Sequence, residues 1–209
     1  DSATWKDKAI GLLTVVVRVL VALRDRGVDE RGEPFTFDVL ALRRALPLDA
    51  LIDWSLRAEH QVDGFTLPAA VQAGLQHYLD SVPGFREPRQ LWEQQNPEVP
   101  FTAEVIRARS YPTQPEPQTY VQHGYLINQF NRMLTQLADV YGHIYRVRQG
   151  EVDFADLVLN RRILLVQLPA LEKSPDELAS LGKVIVAAMK TMLAVGLGAR
   201  LEGTHREVI

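Results

Sequence analysis

The chain has 209 residues and no cysteine. That excludes a disulfide scaffold and thiolate metal sites, and it fits a reducing compartment. Basic charge is not in excess either. Lys and Arg number 23 against 26 Asp and Glu, a net charge of −3, so there is no uniformly basic surface to grip nucleic acid. No apolar run is long enough for a bilayer, which needs about 20 residues. The most apolar stretch, residues 9–23, is shorter and carries Arg18. It also lacks the small-residue cleavage site of a signal peptide, and reads as a buried core helix. Apolar residues at 46% and charged residues at 23% are an ordinary globular balance, so a core can form.

The phosphate loop is missing as well. G-x-x-x-x-G-K-[ST] needs glycines so that backbone N–H groups cradle phosphates, with a Lys and a Mg²⁺-binding hydroxyl. The chain's Gly-Lys, Gly182-Lys183, is followed by Val184 and has Glu177 in place of the first glycine. It reads as a solvated Lys on a helix. No apolar strand ends in the Asp-Glu that would hold Mg²⁺. The histidines, His60, His77, His123, His143 and His205, form no i,i+4 pair. Only tertiary convergence could make them a metal site, and hydrogen bonding in the core or at caps explains His123 and His143 better. There is no G-x-S-x-G elbow. No residue is assigned to catalysis, to a cofactor or to a metal.

What is present reads as mainly α. Ser2 or Thr4 can cap a helix that runs to Arg26 and stops at Gly27, its apolar residues nearly all round. A polar turn over residues 29–34 leads to a short helix capped by Thr36 and ended by Pro47. Asp49 caps a segment to about His60, and Thr66 another to about Ser81, with Pro68 in its first turn. Residues 83–117 hold seven of the twelve prolines, which rules out a long helix there; one or two helical turns fit around residues 102–109. Residues 119–145 form one amphipathic helix with a stripe of Leu126, Phe130, Met133, Leu134, Leu137, Tyr141 and Ile144.

The last sixty residues have another texture. Ile163-Leu164-Leu165-Val166 is a continuous apolar run, as in a strand covered on both faces. Ser174-Pro175-Asp176-Glu177 is a capping box with Pro at the first helical position. It starts a helix to about Val195, with Leu178, Leu181, Ile185, Met189 and Met192 on one face and Gly196 and Gly198 ending it. Strand, loop and long helix make half of a βαβ unit. The chain begins at Asp1 without a methionine, which suggests a domain cut from a longer protein, and ends at Arg206-Glu207-Val208-Ile209 as if a strand were starting.

Two basic groupings are candidate contacts. Arg107 and Arg109 beside Tyr111 could neutralise and stack on single-stranded nucleic acid; a solvated loop over a packed aromatic explains the same residues more simply. Arg161 and Arg162 read as strand-edge charge or as a contact at a nucleotide or subunit boundary.

Residues Gln122-His123-Gly124-Tyr125-Leu126 and Leu137-Ala138-Asp139-Val140-Tyr141-Gly142-His143-Ile144-Tyr145 lead to the stretch 152–164. Leu168-Pro169-Ala170-Leu171-Glu172-Lys173-Ser174-Pro175-Asp176-Glu177-Leu178 follows, then Leu181-Gly182-Lys183. Together these resemble the coupling ATPases of type IV secretion and conjugation, of the TraD/TrbC and Dot/Icm type. The likeness is specific over about 119–203 and looser before, where it rests on element order and on Trp5-Lys6-Asp7-Lys8-Ala9. In that family an all-helical domain is inserted into a RecA-like motor, between the phosphate loop and the Asp-Glu strand. The resemblance implies an all-α, substrate-facing domain over 1–148 and, over 149–209, a strand–helix piece of the α/β RecA-like motor lacking both nucleotide motifs.

It further implies a parent that is a hexameric ATPase using ATP and Mg, anchored in the bacterial inner membrane, with this part on the cytoplasmic face. The chain itself would need no cofactor and would be no enzyme. Its partners would be a relaxase or relaxosome, secreted protein substrates and other type IV secretion components. The rival expectation is a weak, non-specific single-stranded DNA-binding module, against which net acidity counts. Self-association through the apolar run 163–168, or packing of that run back onto the helical domain, is a further expectation.

Overall fold

Helix α1 (Ser2–Arg26) ends as the sequence predicts. Gly27 has φ +80°, a conformation costly for a residue with a Cβ, and its N–H donates to the Leu23 carbonyl at 2.9 Å. The computed structural model describes residues 2–108, 117–142, 152–160, 162–168 and 174–206, which fall into two compact units, 1–148 and 149–209.

In the first unit α1 is followed by α2 (Val39–Ala45), α3 (Leu48–His60), α4 (Ala69–Ser81), α5 (Arg86–Gln95), α6 (Ala103–Ala108) and α7 (Gln118–Thr135). Leu12, Val16, Val19, Leu20 and Leu23 of α1 are buried, and α1 packs on α2, α4 and α7. It is central, but not apolar all round: Ile10 is 61% exposed, and Gly11, Thr14 and Arg18 share its wet side. The polar turn is closed by Asp29, whose carboxylate accepts from the N–H groups of Arg31 and Glu33. An isolated antiparallel bridge joins Val28 to Pro34.

Three expected caps are corrected. Asp38, not Thr36, caps α2, accepting from the Ala41 N–H at 2.8 Å. Pro47 and Pro68 occupy the N-cap positions of α3 and α4 without a side-chain hydrogen bond. Asp49 and Thr66 therefore cap nothing, and Asp49 is left to bond elsewhere. The proline-rich segment contains α6, as expected, but also α5, which the sequence reading missed. Pro88 lies in the first turn of α5, where its missing N–H has no intrahelical partner to lose. Phe85 and Phe101 flank α5, both buried, and meet edge to face at 5.8 Å.

The long helix is also modified. After Thr135 a π-helical turn occupies Gln136–Val140, an insertion that shifts the facing register. Leu126, Leu134 and Tyr141 of the expected stripe are buried, as is Ala138, whereas Met133 is 43% exposed. Ile144 lies outside the described residues.

In the second unit α8 (Phe154–Leu159), which the sequence reading did not predict, packs against α9 (Pro175–Arg206). The capping box is present. Ser174 N–H donates to Glu177 Oε2 at 3.1 Å, and Glu177 N–H donates back to Ser174 Oγ at 3.4 Å. The helix does not stop at Gly196 or Gly198 but runs to Arg206; a glycine inside a helix costs about 1 kcal/mol and does not forbid it. Leu178, Leu181, Ile185, Met189 and Met192 are the half-buried face of α9.

The expected strand at 163–168 is not shown in this structure. These residues belong to no ladder, and no strand occurs among the described residues. A strand exists by pairing, and no described segment pairs with this one. Ile163 is 96% and Leu165 81% exposed. The fold is mainly α.

Candidate functional site

Of the residues singled out for contacts, Arg109, Tyr111 and Arg161 lie outside the described residues. Arg107 closes the last turn of α6, and its guanidinium pairs with the Asp49 carboxylate from the first turn of α3. The same guanidinium lies 5.1 Å from the centre of the Tyr120 ring in α7. Tyr120 in turn donates its hydroxyl to Asp49 Oδ1 at 2.5 Å. One carboxylate of α3 thus ties in two further helices, α6 and α7, through residues 58 and 71 positions along the chain.

The electrostatics follow from this geometry. The Tyr120 hydroxyl and the Asp49 carboxylate hold Arg107 above its ordinary range. Burial, then the bond to Asp49, raises the Tyr120 hydroxyl above its own. Asp49 and Tyr120 were the missed members. Their signal in the sequence was weak: an Asp two residues after a Pro reads first as a cap.

Arg162 is exposed and pairs with Asp156 Oδ2 at 3.0 Å, while its N–H donates to the Leu157 carbonyl at 2.9 Å. Asp156 also accepts from Asn160. Arg162 therefore closes the C-terminal end of α8.

A second cluster lies deeper. His123 of α7 is buried. The Leu46 carbonyl can only accept, so His123 Nε2 carries the proton and donates at 2.7 Å. Nδ1 is then the acceptor for the Tyr78 hydroxyl of α4 at 2.8 Å. Burial lowers the His123 pKa, opposed by the Leu46 bond, and burial raises Tyr78 above the usual phenol range. The ring is held neutral.

Above this pair a cavity of about 310 Å³ opens between α1, α4 and α7. A second cavity, about 590 Å³, lies beside the 27–38 turn. Its carboxylates are engaged. Asp29 closes the turn, Glu30 accepts from the Trp54 indole, Asp38 caps α2 and Asp53 pairs with Arg57. Among the described residues no group of three or more His, Asp or Glu is placed to hold a metal. No described helix is long and apolar enough to cross a membrane.

No protein-family model matches the chain. Over all of its length it is 39% identical to the type 4 coupling protein DotL of Legionella pneumophila, and it spans 24% of that relative's length.

Proposed function

Proceeding from a chain that is homologous throughout to one quarter of a type 4 coupling protein, we propose that it is a docking part of such a protein. It receives DNA–relaxase complexes or secreted protein substrates for translocation. The whole-length identity to DotL carries this reading. The Asp49 tie supports it physically. It holds α6, which lies in the proline-rich segment, on the helical unit, a scaffold from which a loop can present contact residues.

In this reading residues 1–148 are the substrate-facing domain, and 149–209 return to an ATP- and Mg-using motor on the cytoplasmic face of the inner membrane. The motor's nucleotide motifs lie outside this sequence, and this part does no catalysis itself. Apolar residues 163–168 pair with strands contributed by the rest of the motor, and Arg162 sits at that boundary. Arg107 and Arg109 with Tyr111 lie where substrate docks.

The test is binding of the chain to purified candidate relaxases and secreted substrates, beside a labelled single-stranded oligonucleotide, over a range of salt. Substrate binding that survives added salt upholds the reading. DNA binding that falls steeply with salt, without protein binding, replaces it by the DNA-binding alternative.

A further inference from the structure

Helix α5 differs from its neighbours in having no buried residue, whereas every other helix of the first unit contributes at least one buried side chain. The reason lies in its sequence. Apart from Pro88, Leu91 and Trp92 its side chains are charged or amides, which leaves too few apolar groups for a core-facing stripe. Leu91 is 51% exposed, and Trp92 is half-buried against the core.

The ends of this segment are nevertheless fixed. Phe85 before α5 and Phe101 after it are buried and touch, so residues 86–100 form a loop closed at its base, as in compact surface loops whose ends lie together. Inside it polar groups satisfy one another. Arg89 Nε donates to Glu93 Oε1 at 2.6 Å, and Trp92 Nε1 to the Val99 carbonyl at 2.8 Å. The Asn96 N–H donates to the Trp92 carbonyl at 2.8 Å. Outward, the segment is held by the Trp92 ring and by an ion pair in which Arg89 Nη2 donates to Glu59 Oε2 of α3 at 2.9 Å. The Glu59 side chain is 42% exposed, and a pair with so wet a partner holds weakly.

We propose that residues 86–100 are a strap that releases while the rest of the first unit stays folded, with Arg89 and Glu59 as its latch. Release uncovers the Trp92 ring and the core surface it covers, giving the proline-rich segment a closed and an open state. Binding loops and moving elements are drawn from segments that open at low cost. The strap does not depend on which substrate the chain receives.

Hydrogen exchange of the 209-residue chain, read by mass spectrometry under native conditions, tests this. A detached helix as short as α5 does not persist in water, so release opens its amides to exchange. Residues 89–95 should exchange at least about a hundredfold faster than the buried turns of α1. Glu59→Gln should speed that exchange about fivefold, and Arg89→Met, which removes both ion pairs of Arg89, by at least as much. Neither should alter exchange in α1 or α7. Glu59→Gln, a near-isosteric change at a wet position, carries the test should Arg89→Met not fold. Amides of 89–95 as protected as those of α1, rates in the variants equal to wild type, or an acceleration shared equally by α1 and α7 would each overturn the proposal.

Discussion

The Tyr78 hydroxyl donates to Nδ1 of His123 across 2.8 Å, joining α4 to α7 in the interior. The arrangement holds only while His123 is neutral, because a protonated ring has no acceptor to offer. Burial lowers the pKa of the folded His123, whereas the unfolded ring titrates near about 6.5. Below that value the unfolded state binds more protons than the native one, so stability falls as pH falls through the folded pKa and is fully present above about 6.5. Urea denaturation at pH 7.5 and pH 5.5 should therefore give a smaller free energy at the lower pH. His123→Gln should lower stability at pH 7.5 by about 1–3 kcal/mol, from unsatisfied buried partners, and should lose part of the acid sensitivity. An unchanged acid loss in the variant would assign it to other groups.

The Asp49 tie predicts unequal effects of its members. Arg107 is half exposed, so Arg107→Ala should cost under about 1 kcal/mol. Asp49→Ala strips an acceptor from the half-buried Tyr120 hydroxyl and should cost more, about 1–2 kcal/mol. A double-mutant cycle between Asp49 and Tyr120 should return a coupling of about 0.5 kcal/mol or more; strict additivity would mean the bond contributes nothing in solution.

The same tie bears on nucleic acid. Arg107 is already paired with a carboxylate, so binding to single-stranded DNA should be weak and indifferent to sequence. Replacing Arg107 and Arg109 by Ala should reduce it and flatten its salt slope. Fluorescence anisotropy of a labelled oligonucleotide from low to physiological salt reads both effects. Tight binding at physiological salt that survives the replacement would contradict the docking role proposed above.

Mg-ATP should leave the melting temperature of this chain unchanged. A ligand specific for the native state adds about 2.7 kcal/mol at 100 times its dissociation constant, a shift that differential scanning fluorimetry detects readily. Its appearance would mean that Gly182-Lys183 had been misread.

Ile163 and Leu165 carry the largest apolar exposure among the described residues. Fully burying one such side chain is worth about 1.5–3 kcal/mol, and an unpaired extended segment invites pairing. Concentration-dependent association is expected in sedimentation velocity, and Ile163→Asp with Leu165→Asp should abolish it. A wild-type chain that stays monomeric at high concentration would rule this out.

Residue order alone determined much of this molecule. The end of α1 at Gly27, the capping box at Ser174 and Glu177 and the apolar faces of α7 and α9 all follow from local rules. Each depends on neighbours within a turn or two, where spacing and backbone preference act directly. The remaining features depend on distant partners. Asp49 has the look of a cap, yet Pro47 already occupies the N-cap position and Asp49 meets Arg107 and Tyr120 from far along the chain. Residues 163–168 have the composition of a strand, but composition cannot supply the neighbour whose N–H and C=O groups complete a ladder. The prolines of residues 83–117 forbid a long helix there. Only the meeting of Phe85 with Phe101 closes the segment between them at its base, because a contact between side chains so far apart in sequence is a property of the packing and is written in neither residue.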